Sequence, residues 1–104
     1  MLQRIEIIGN LVADAEVRPG QNQSEFLAFR VAVNESSGEE KKTTFYDVSY
    51  AKNGVFGYLR KGQQVYVSGR LSVSASNGKD GRAYLNAYIN ARDLELCGSP
   101  SRDN

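Results

Sequence analysis

The sequence predicts an all-β domain, a five-stranded Greek-key barrel with one short helix between the third and fourth strands. Three observations predict it. Apolar and polar residues alternate with a period of two in five separate stretches. Polar clusters rich in glycine and asparagine divide those stretches. Between the third and fourth, Val55, Phe56 and Leu59 fall at helical spacing and the pattern stops on Gly62.

The first strand, within 2–13, sets Leu2, Ile5, Ile7 and Leu11 against Gln3, Arg4, Glu6 and Asn10. Gly9 interrupts it and predicts a bulge or sharp bend. Residues 14–24 read as a loop with a Pro19-Gly20 turn. The second strand, 25–34, places Leu27 (or Phe26), Phe29, Val31 and Val33 on one face. A polar hairpin loop over 35–42 follows, in which Lys41 and Lys42 offset Glu39 and Glu40.

The third strand, 43–51, divides Thr44, Tyr46, Val48 and Tyr50 from Phe45, Asp47 and Ser49. Because Phe45 shares its face with two polar residues, it is expected on the outside. The helix begins near 52–54. Gly54 and Gly57 make it intrinsically weak, so it needs packing to hold it, and Arg60 and Lys61 suit its C-terminal end. Gly62 supplies a left-handed cap. The fourth strand runs from 63 to about 75, with Val65 and Val67 inward, a break at Gly69, then Leu71 and Val73. A hairpin tip over 77–81 leads to the fifth strand, 82–96, with Tyr84, Asn86, Tyr88 and Asn90 on one face. No sequence signal assigns Tyr84 or Tyr88 a role. Residues 1–97 form one domain and 98–104 a polar tail. This order of elements is that of the OB-fold, which commonly binds oligonucleotides or oligosaccharides across its second and third strands. A β-sandwich needs about seven strands.

Composition narrows the function. Thirteen basic and twelve acidic residues give a net charge of +1, which excludes a strongly basic polynucleotide-coating surface. Histidine is absent, removing the commonest general base and metal ligand. With a single cysteine, Cys97, a zinc site is not expected, nor any cofactor, nor an enzyme. One unpaired thiol suits a reducing compartment, and no apolar run reaches membrane-spanning length, so a cytoplasmic location is expected.

Several stretches resemble the bacterial single-stranded DNA-binding protein family. They are Ile8-Gly9-Asn10-Leu11 with Asp14-Ala15-Glu16-Val17-Arg18, then Asn34-Glu35-Ser36, and Asp80-Gly81-Arg82. The most specific is Tyr58-Leu59-Arg60-Lys61-Gly62-Gln63-Gln64-Val65-Tyr66-Val67 followed by Gly69. The resemblance spans about 4–96 and implies sequence-independent binding of single-stranded DNA in replication, recombination or repair, near the nucleoid. It implies stacking at Phe45 and backbone contact at Arg4, Arg30, Lys52 and Lys61, with Arg70 as a further cation if the fold aligns it with them. It also implies homotetramers or homodimers, with Gln64 and Tyr66 at subunit contacts and Tyr46 near them, and replication or repair proteins as partners.

The departures point to a short, divergent member. Ser37, Ala51 and Ser76 stand where the family has further stacking aromatics, and Asp47, Ser72 and Ser74 where cations are common. The last residues do not resemble the acidic tip of bacterial members. Three missing rings at about 1–3 kcal/mol each imply weak binding. The alternative function is an assembly or replication-restart adaptor working mainly through protein contacts.

Overall fold

A computed structural model describes residues 3–51 and 54–98. Six strands form one sheet: β1 (Arg4–Leu11), β2 (Glu16–Pro19), β3 (Glu25–Ser37), β4 (Glu40–Tyr50), β5 (Gln64–Asn77) and β6 (Ala83–Cys97). Their order is β1-β5-β6-β4-β3-β2, and a further pairing of β1 with β3 closes the sheet on itself. All neighbours are antiparallel except β4 and β6, which run parallel from Asp47↔Tyr88 to Tyr50↔Ala91. This is the expected OB-fold, with β1 and β2 lying in succession along the same edge of β3.

The alternation in the sequence becomes the division between inside and outside. Ile7 and Leu11 of β1, Leu27, Phe29 and Val31 of β3, Val48 of β4, Val65 and Val67 of β5, and Ile89 of β6 form the buried core. Successive side chains point to opposite faces, so the polar residues between them lie outside.

Two expected loops and the expected helix differ in the structure. The loop expected over 14–24 contains β2, a four-residue strand paired with β3 from Glu16↔Ala28 to Pro19↔Glu25. All four of its residues are exposed, so it has no apolar alternation to reveal it. The loop expected over 35–42 is mostly ladder: pairing continues to Ser37↔Glu40 and leaves only a tight turn at Gly38-Glu39. The helix expected before Gly62 is a single 3-10 turn, Phe56–Tyr58, with no side-chain cap. Gly54 and Gly57 weaken this segment too far for propensity to extend it.

Packing and backbone ties hold that segment instead. Leu59 is 1% exposed in the core. The Ala15 amide donates to Leu59 O (2.9 Å), and the Gly62 amide donates to Leu11 O (2.8 Å). Gly62, with φ +90°, is not the cap of this short turn but lies in the tight turn that follows, where the Gln63 amide donates to Arg60 O (2.9 Å).

Of the bulge or sharp bend expected at Gly9, no bulge forms: Gly9 stays in register opposite Val65. A side chain there would press on Ala32 O and lie 2.7 Å from Val31 Cγ1, where β1 passes from β5 to β3. Gly69 does sit at a bulge: the register shifts between Ser68 and Gly69, with Arg92 of β6 as the extra residue, and Gly69 lies tight against Asn90 and Ala91. No described helix is long and apolar enough to cross a membrane.

Candidate nucleic-acid interface

Paired residues in neighbouring strands share a face. The registers therefore align two rows across the outside of the sheet. One row runs Arg30 (β3), Asp47 (β4), Tyr88 (β6), Ser72 (β5). The next runs Ala28, Ser49, Asn90, Arg70, Arg4 on β3, β4, β6, β5 and β1. Most of these residues line a groove of about 810 Å³, with Glu16 and Arg18 of β2 on its far side.

Phe45 lies two residues before Asp47 on the same face, opposite Ala32. It is 46% exposed, as its polar neighbours in the strand predict. The Arg30 guanidinium carbon stands 4.8 Å from the centre of its ring, an exposed cation–π contact. Arg30 Nε also lies 3.9 Å from Asp47 Oδ1, and both side chains are about half exposed.

The other predicted cations divide between three places. Arg70 lines the same groove as Arg30. Arg4 is directly opposite Arg70 but borders a smaller hollow with Glu6, Tyr66 and Asp93. Lys61 lies between the 3-10 turn and β5, where its amide donates to Asp14 Oδ1 (2.8 Å). Lys52 lies outside the described residues.

Charge in the groove is largely matched. Arg18 pairs with Glu16 at 3.3 Å, Arg60 with Asp14 at 3.3 Å, and Arg30 with Asp47. Among the described residues, Arg4, Lys61 and Arg70 take part in no ion pair. The Lys61 amide, and then Arg60, hold the Asp14 carboxyl below its ordinary range, against a partial desolvation effect.

Two aromatics need separate treatment. Tyr88, 46% exposed, stands in the Arg30 row and lines the groove. The sequence left it unassigned because only the parallel β4–β6 register brings it beside Asp47. Tyr84, on the same face of β6, is held at the hairpin tip, where its hydroxyl donates to Asp80 Oδ2 (2.8 Å).

The residues expected at subunit contacts do not form one patch. Gln64 and Tyr66 alternate with buried Val65 and Val67 and lie on the outside, Tyr66 opposite Ile8. The Tyr66 hydroxyl donates to Glu6 Oε1 (3.3 Å). Tyr46 instead packs partly buried against the core.

The profile of the Single-strand binding protein family matches residues 2–97. The chain belongs to this family. Single-stranded DNA-binding protein 2 of Staphylococcus aureus (strain COL) is 33% identical over 110 residues, covering 100% of this chain and 78% of that protein. Single-stranded DNA-binding protein 1 of Xylella fastidiosa (strain 9a5c) is 27% identical over 112 residues, covering 99% of this chain and 82% of that protein. For the Helicobacter hepaticus (strain ATCC 51449 / 3B1) relative, 29% identical over 112 residues, the coverage is 99% of this chain and 66% of that protein.

Solved structures agree on the fold. The small single-stranded DNA-binding protein from Streptomyces coelicolor superposes with a TM-score of 0.74 at 25% identity, covering 92% of this chain and 94% of that one. A Plasmodium falciparum SSB in complex with ssDNA gives 0.71 at 20% identity, covering 94% of this chain and 96% of that one.

Proposed function

We propose that this chain binds single-stranded DNA without strong sequence preference, along the outward groove of β3, β4, β6 and β5. The observation that carries the reading is Phe45, a half-exposed ring beside Arg30 on the face that also holds Tyr88 and Arg70. The chemistry fits an unpaired strand, since every base offers a π-face and every nucleotide a phosphate. Family membership supports it. Replication, recombination or repair in the cytoplasm is the setting such a protein serves.

Affinity is expected to be modest. Three of the predicted binding cations, Arg4, Lys61 and Arg70, have no carboxylate partner among the described residues, and together they would neutralise about three phosphates. For single strands that gives a slope of log affinity against log salt near −2. Titrating fluorescein-labelled oligo(dT) at several salt concentrations measures it. Absence of binding to any oligonucleotide at low salt defeats the reading.

Self-association accompanies this proposal. Ile8, 56% exposed on β1, lies beside Tyr66 and close to Gln64, and a second copy covering that surface would bury an apolar side chain now in water. Sedimentation equilibrium distinguishes monomer, dimer and tetramer.

One observation favours an adaptor acting through protein contacts. Leu85, 78% exposed, and Val73 lie on one face of the β5–β6 arm, Leu85 opposite Ala75 and Val73 opposite Ala87. Under that reading Phe45→Ala leaves partner binding intact, and DNA binding is negligible in the parent protein as well.

A further inference from the structure

We propose that Asp47 restrains the affinity of this groove by occupying Arg30, and that removing its charge tightens single-strand binding. The inference rests on the DNA-binding reading above and adds a residue that opposes it.

Four features of its position lead there. Asp47 is directly opposite Arg30 in the β3–β4 register and directly opposite Tyr88 in the β4–β6 register, so it stands in the middle of the groove floor. It is two residues from Phe45 on the same face. Its carboxylate lies 3.9 Å from Arg30 Nε, which competes with any phosphate for that guanidinium. The pair is about half exposed, so it adds little to stability and can be altered without loss of the fold.

A carboxylate here acts twice against a nucleic acid. It repels the phosphates, and it keeps one arginine from neutralising a phosphate and so releasing that phosphate's counterion. Glu16 and Asp14 pair with Arg18 and Arg60 in the same way, but at the groove's edge. Asp47 alone among the three lies between Tyr88 and the arginine that covers Phe45. The near-neutral composition is thus repeated locally, with an acid set against the cation best placed to bind.

The test compares Asp47→Asn with Glu95→Gln, which makes the same change in net charge on β6 opposite Tyr66, outside the groove. Both are titrated with labelled oligo(dT) over a range of salt. One unit charge about 6 Å from a phosphate in a mostly aqueous setting predicts roughly three- to tenfold tighter binding by Asp47→Asn at low salt. Its salt slope becomes steeper by about 0.7, one more phosphate. In an Arg30→Ala background most of the gain disappears, because the freed guanidinium is missing.

If the parent binds and Asp47→Asn binds no more tightly than Glu95→Gln, the Asp47 proposal fails while the DNA-binding reading stands. Should the parent bind undetectably and Asp47→Asn bind measurably, the restraint is established in its strongest form. If neither binds at low salt, both ideas fall together.

Discussion

Replacing Phe45 by Ala separates a binding ring from a structural one. The ring is 46% exposed, and Arg30 covers part of it at 4.8 Å. Stacking one base on an aromatic side chain contributes about 1–3 kcal/mol. Arg30 already occupies one side, so the lower half of that range applies, about 1–2 kcal/mol, or roughly a five- to thirtyfold loss of affinity. Stability should hardly change. The exposed cation–π contact is worth about 0.5–1 kcal/mol, and a domain of this size loses roughly 4–8 °C of Tm per kcal/mol. Fluorescence anisotropy with oligo(dT) reads the first quantity and thermal melting by circular dichroism the second. Phe45→Leu keeps the apolar bulk without the π-face and should bind like Phe45→Ala. Unchanged affinity in both variants, or a collapse in Tm exceeding about 10 °C, would refute the assignment.

Arg70→Ala should make the salt slope shallower by about 0.7 and weaken binding equally for all sequences, as loss of a phosphate contact requires. Leu59→Ala empties a core position that the 3-10 turn cannot close, and should cost about 2–5 kcal/mol in denaturant melts. Gly69→Val forces a side chain against Asn90 O and within 2.8 Å of Ala91 Cα, so cooperative unfolding should be lost or strongly weakened. Asp80 has its carboxyl lowered below the ordinary 3.8, first by the Arg82 amide and then by the Tyr84 hydroxyl. A lowered carboxyl contributes stability above its unfolded value and loses it as pH falls through its folded value. The β5–β6 tip should therefore loosen only below about pH 4, seen as faster amide exchange near Gly78 and Arg82.

Much of the fold was legible because burial repeats locally. Ile7, Phe29, Val31, Val65, Val67 and Ile89 each announce an inward face through a polar neighbour one residue away. Phe45 was readable for the converse reason, being apolar on a polar face. What could not be read depends on partners distant in sequence. β2 exists only because β3 offers it an edge, and its own residues are all exposed. Gly9 resembles a bulge in sequence, yet its cause is β3 backbone passing beside it. Tyr46 was expected near a subunit contact, but its place on the same face as buried Val48 directs it to the core. Tyr88 and Asp47 meet through a parallel pairing of strands some forty residues apart, and the balance of charge in the groove depends on that meeting.

Amide chemical-shift mapping with a short oligo(dT) locates the bound strand on the sheet. The largest changes should fall on residues 30, 45, 47, 70 and 88, with little effect at 6–8, 64–66 and 95. Changes concentrated on the β1–β5 surface around Ile8 and Tyr66, with Phe45 and Arg30 unmoved, would contradict that placement.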